Sequence, residues 1–115
     1  MIGKLDATLQ FHQAALAVRA ERQQIISSNI ANADTPHYKA RDLDFSQAMR
    51  GALNGAATLK AAPLYRAERQ GSIDGNTVDM DVERNQFAEN ALRYEAGLTL
   101  ISAQIKGLLT AIQGQ

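Results

Sequence analysis

Residues 87–112 read FAENALRYEAGLTLISAQIKGLLTAI, and the spacing of apolar residues in this stretch decides the fold. Phe87, Ala91, Tyr94, Leu98, Ile101, Ile105, Leu108 and Ile112 follow one another at alternating steps of four and three, the seam of a helix that pairs with another helix. No charged residue interrupts the seam. Asp79, Asp81 and Glu83 crowd its expected start, where unpaired N–H groups and the positive end of the helix dipole favour acids. Gly97 and Gly107 lie off the seam. They mark either faces where another backbone comes close or weak spots on an exposed face, each about 1 kcal/mol less favourable than alanine. A long C-terminal helix is predicted over 79–115.

A second helix is predicted over 1–33. At roughly 100° per residue, Ile2, Leu5, Leu9 and Leu16 fall on one side, while Ala7, Phe11, Ala14, Val18 and Ile25 fall nearly opposite. A helix in a solitary hairpin needs one apolar stripe, so a second stripe calls for another surface. The economical expectation gives one seam to the chain's own C-terminal helix and the other to neighbouring subunits. The helix should end near Asn32, in left-handed C-cap geometry, because Pro36 disfavours helical backbone at Thr35. Helices of about 30 residues are each some 45 Å long.

Between these flanks, 34–78 is expected to be irregular. It holds both prolines, Pro36 and Pro63, and the glycines Gly51, Gly55, Gly71 and Gly75, which interrupt regular structure. Asp44 followed by Gln47 resembles a capping box, and Phe45, Ala48, Met49, Ala52 and Leu53 repeat at helical spacing, which predicts a short helix over about 44–54. Residues 55–75 read as loop with at most a few extended residues. The predicted fold is all-α: two long terminal helices in a coiled-coil hairpin, one domain, with a short helix in an irregular middle.

Composition excludes several functions. The 115 residues carry 12 basic and 12 acidic groups, so no global excess of positive charge draws the chain to nucleic acid or an anionic membrane. Zero cysteines remove disulfides, thiol nucleophiles and cysteine-based zinc sites. No run approaches the ~18 apolar residues that span a bilayer, and Asp6 without a following apolar run argues against a cleavable secretory signal.

A search for catalytic or ligand-binding chemistry returns little. His12 and His37 lack metal-ligand spacing. Asp74, Asn76, Asp79, Asp81 and Glu83 superficially resemble a calcium loop, but the required glycine position is missing, and helix-start electrostatics explains the acids better. Ser27 and Ser28 have no visible activating partners, and no phosphate-binding glycine loop occurs. No enzyme, cofactor, metal or small-molecule substrate is expected. The basic middle, Lys39, Arg41, Arg50, Lys60, Arg66 and Arg69, reads as a solvated loop or as a surface meeting the acidic C-terminal third of an adjacent copy.

The words Ser28-Asn29-Ile30-Ala31-Asn32-Ala33-Asp34-Thr35-Pro36, continuing through Tyr38 to Phe45, closely resemble the signature of the flagellar basal-body rod proteins. Lys39-Ala40-Arg41-Asp42-Leu43-Asp44-Phe45 and the stretch from Asp74 to Glu83 are similar to proximal-rod members. The resemblance covers roughly 1–54 and 71–113. One departure is His37, where the family usually has glycine after the proline; a turn needing positive φ there would be strained. The resemblance implies a mechanical subunit, exported without a cleaved signal through the flagellar type III apparatus into the periplasmic rod. There its helices would pack around the export channel and carry torque from the MS ring towards the hook. Implied partners are further copies of the chain, FlgC and other rod proteins, the FliE adaptor, the MS ring and the export gate. Residues Ser28–Pro36 and Tyr38 either stop the helix or also touch adjacent subunits. Alternatives are another axial subunit, FlgC-like or needle-like, and a helical-hairpin adaptor for a single partner.

Overall fold

The computed structural model describes residues 2–54, 64–66 and 73–114. The loop expected over 55–75 lies for the most part outside the described residues, as do Gly55, Lys60, Pro63, Arg69 and Gly71. Among the described residues five elements follow in order: α1 (Ile2–Ala31), β1 (Arg41–Asp42), α2 (Phe45–Leu53), β2 (Leu64–Tyr65) and α3 (Met80–Ile112). The fold is all-α, with two long helices packed on each other. Among the described residues the one exception is a two-residue antiparallel ladder that pairs Arg41 with Tyr65 and Asp42 with Leu64.

Helix starts follow the local chemistry. Asp44 caps α2 by accepting from the Gln47 N–H, and Asp79 caps α3 by accepting from the Asp81 and Val82 N–H groups. At its other end α1 stops without a left-handed residue at Asn32, contrary to the expected C-cap. Instead the Asn32 side chain donates to the Ser28 carbonyl at 2.8 Å, and its backbone N–H reaches the Ser28 and Asn29 carbonyls. A side-chain amide thus does the work of the left-handed cap.

The left-handed residue comes five positions later. His37 has φ 64°, and among the described residues it is the one non-glycine with positive φ. Tyr38 N–H donates to the Thr35 carbonyl, so Thr35-Pro36-His37-Tyr38 fits a type II turn, with proline second and a glycine-favouring position third. Gly75, at φ 77°, lies beneath His37, and a Cβ there would stand 2.8 Å from the imidazole Nδ1.

The long helices run antiparallel. Asn29 meets Glu83, Arg19 and Gln23 meet Asn90, and Leu16 covers Gly97, where a Cβ would lie 3.1 Å from the leucine Cδ2. The inward line of α3 is therefore Glu83, Asn90, Gly97 and Gln104, one residue every seven, supported by half-buried Ile101 and Leu108. Gly97 does mark a close approach; Gly107 faces open space.

The apolar core lies towards the connected end of the pair. Val18 and Ile25 pack with Leu43, Ala48 and Met49, flanked by Ala14, Ala15, Phe45 and Ala52. This corrects the expectation for the second stripe of α1. Its lower part, Ala14, Val18 and Ile25, is covered by the chain's own β1–α2 segment rather than by a neighbour. Amphipathic α2 buries Ala48 and Met49 against it. The upper part, with Ala7 and Phe11, stays exposed. The molecule measures 65 × 25 × 18 Å.

Candidate functional site

The signature word folds into a knot of hydrogen bonds at the foot of the helix pair. Asn29 is fully buried and uses all of its capacity. Its Nδ2 donates to the Arg41 carbonyl at 2.7 Å and to Glu83 Oε2 at 3.0 Å, while its Oδ1 accepts from the Arg41 N–H at 3.0 Å and the Tyr38 hydroxyl at 3.1 Å. It thus pairs with Arg41 as a neighbouring strand would. Ser28 Oγ lies 3.2 Å from the Tyr38 hydroxyl, and Thr35 Oγ1 donates to Asn32 Oδ1. Across the turn, buried Asn76 donates to the Asn32 and Thr35 carbonyls at 2.9 and 2.7 Å and accepts from the Val78 N–H.

A charged network lies beside the knot. Arg22 holds Asp42 through two contacts, at 2.9 and 3.2 Å, and donates to Gln86. Arg66 bridges Asp42, at 2.8 Å, to the buried Glu83. Burial pushes the Glu83 carboxyl above its ordinary range, outweighing the Asn29 hydrogen bond and the Arg66 charge. Burial acts to raise Asp42 too, but there the hydrogen bonds from Arg22 and Arg66 prevail and hold it below its ordinary range. Residues from α1, β1 and α3, and Arg66 just after β2, are joined in this way.

Sequence reading missed these roles. Glu83 was grouped with the helix-start acids, yet Asp79 alone caps α3, and Glu83 is buried and ion-paired one turn in. Arg66 meets the acidic C-terminal third within its own chain rather than in an adjacent copy, and Lys39 donates to the Gly75 carbonyl. The available signal was the seven-residue recurrence of Glu83, Asn90, Gly97 and Gln104.

Of the signature residues, Asn29 is buried. Ser28, Ile30, Asn32, Ala33 and Tyr38 are half-buried, and Ala31, Asp34, Thr35 and Pro36 are exposed. Along the α1 stripes Leu5 and Phe11 are exposed, Leu9 and Leu16 half-buried, and Val18 and Ile25 buried. Along the α3 stripe Ile101 and Leu108 are half-buried, whereas Phe87, Ala91, Tyr94, Leu98, Ile105 and Ile112 are exposed. Most of the apolar stripe of α3 is thus turned away from α1. Placing Glu83 and Asn90 against partners on α1 sets the rotation of the helix, and the stripe then faces outward.

Residues 9–39 match the family described as Flagella basal body rod protein, a class of structural rather than catalytic proteins. The flagellar basal body rod protein FlgB of Salmonella typhimurium is 44% identical over 136 residues, covering 99% of both chains. FlgB of Yersinia ruckeri is 45% identical and that of Escherichia coli K12 44%, each with 98% of both chains covered. The chain belongs to the FlgB family of flagellar basal body rod proteins. It is a structural subunit of the basal body rod and not an enzyme.

Proposed function

We propose that the α1–α3 pair is a single D0-like unit of the proximal rod, formed by residues 1–33, 34–78 and 79–115. Its exposed stripes pack against further copies of the chain and against other rod proteins around the export channel. The observation that carries this reading is the exposure of large apolar side chains at heptad spacing: Phe11 48%, Leu98 46%, Ile105 44% and Ile112 71% exposed. A lone molecule that leaves such stripes in water forgoes their burial, about 25 cal/mol per Å2. The exposed edge of the signature, Ala31, Asp34, Thr35 and Pro36, adds a polar subunit contact beside the buried knot. FlgC, the FliE adaptor, the MS ring and the export gate are the specific partners, by similarity to the family. Export through the type III apparatus without a cleaved signal and the transmission of torque belong to the same proposal.

The test is complementation of a strain lacking the chain with Leu98→Asp. The expected result is normal expression, no assembled rod and no swimming; restored motility would overturn the reading. Sedimentation of the purified chain separates an open-ended polymer from the one-to-one complex of a hairpin adaptor.

A further inference from the structure

Alongside the helix pair, on the flank that α2 leaves free, a groove of about 510 Å3 runs between α1 and α3. Ala20, Gln24 and Ser27 form one wall, and Ala91 and Tyr94 the other. Asn90 is 1% exposed and lies at the floor. Its Nδ2 donates to the Arg19 carbonyl and Gln23 Oε1, while its Oδ1 has no partner among the described residues.

Arg19 and Gln23 also line the groove. Gln10, Gln13, Ala17, Ala20, Gln24, Ser27 and Ala31 recur at steps of three and four on α1 and are all exposed. The α3 wall continues into exposed Leu98, Ile105 and Ile112. Walls with this period fit another helix, with small Ala20 and Ala91 leaving the hole that a large side chain fills.

The chain itself carries the matching ridge. The apolar core covers α1 from Ala14 to Ile25. Beyond it Phe11 and Leu100, 48% and 47% exposed, stand by helical spacing on the flank opposite the groove. Phe11 lies nine residues from Ala20, a helical rise of about 14 Å. Groove and ridge on opposite flanks make a heterologous contact, which repeats from copy to copy instead of closing.

We infer that the α1–α3 groove seats the Phe11–Leu100 ridge of a second copy of this chain, shifted along the helix axis by about 14 Å. The inference rests on the rod-subunit reading and adds to it which surfaces meet. The unpartnered Asn90 oxygen is a buried acceptor at the floor of the seat and fixes the register of the incoming helix.

The absence of cysteine makes cross-linking a clean test. Ala20→Cys and Leu100→Cys are made in separate full-length chains, both at exposed positions, and circular dichroism checks that each retains the native helix content. Association of the reduced chains is followed by sedimentation before oxidation. On mixing and oxidising, the expected product is the mixed dimer, at least tenfold above the like-with-like dimers. Association with no mixed cross-link, or with Ala20→Cys linking chiefly to itself, overturns the inference while the rod reading stands. No association at any concentration overturns both. As a second measurement, Ala20→Glu, which places a charge in the groove, is expected to weaken association at least tenfold with helix content unchanged; undiminished association would contradict the seat.

Discussion

Asn29 makes four hydrogen bonds from a fully buried position, to three different segments. Asn29→Ala leaves both main-chain groups of Arg41 and one oxygen of Glu83 without that partner, and buried groups left unpaired cost about 1–3 kcal/mol each. A loss of about 3 kcal/mol, read as a lower urea midpoint, is expected; a loss below about 0.5 kcal/mol would show that the knot is not a stabilising unit. The neighbouring turn gives a paired prediction. His37 holds a left-handed backbone, which costs a side-chain-bearing residue about 1–2 kcal/mol. His37→Gly should therefore hold or raise stability, although the freer unfolded chain offsets part of the gain. Gly75→Ala should lower stability by about 1–3 kcal/mol, because its φ is positive and its Cβ would meet the His37 ring. Equal effects from the two changes would contradict the turn geometry.

At the scale of elements, the rotation of α3 matters most. Its inward line carries Glu83, Asn90 and Gly97 against α1, so the contact inside the chain is polar and close while the apolar stripe looks outward. Leu98 is 46% exposed in the single chain. Leu98→Asp should thus change the unfolding free energy of the isolated subunit by less than about 1 kcal/mol, since exposed substitutions rarely do more. It should nevertheless abolish rod assembly. A collapse of the monomer would place Leu98 in a core that α1 and α3 do not show. By contrast, Asn90→Leu buries a branched apolar group where two hydrogen bonds now hold the helices in register. It is expected to broaden the set of pairings more than it lowers stability.

For the whole molecule, core and network both sit at the connected end. Hydrogen exchange should be slowest for Val18–Asn29 and Glu83–Asn90, and fast for residues 3–10 and 104–114, whose side chains are almost all exposed. Dilute protein should show less helix by circular dichroism than two helices of about 30 residues imply, and gain helix on assembly. Uniform protection along both helices would contradict this gradient. The charged network makes stability depend on pH in two opposed ways. Glu83 binds its proton more readily folded than unfolded, so stability rises as pH falls through its raised folded value towards the ordinary 4.5. Asp42 binds its proton less readily folded, so its contribution is present above the ordinary 3.8 and is lost as pH falls below it. Urea midpoints between pH 7 and 3 should pass through a maximum, Glu83→Gln should remove the rise, and Asp42→Asn should remove the fall.

The amino-acid sequence by itself determined the two long helices, the short capped helix between them and the class of the protein, because periodicity, capping acids and breakers act between residues close along the chain. The signature word, too, was readable as a word. Which face each helix turns inward was decided only by the tertiary structure. Asn29 with Glu83, Arg22 with Asp42, and Asn90 with Arg19 are pairs up to 71 residues apart, and satisfying those buried polar groups turned the apolar stripe of α3 outward. Helical spacing marks an apolar stripe, but the partner that covers it depends on contacts between distant segments and between copies of the chain.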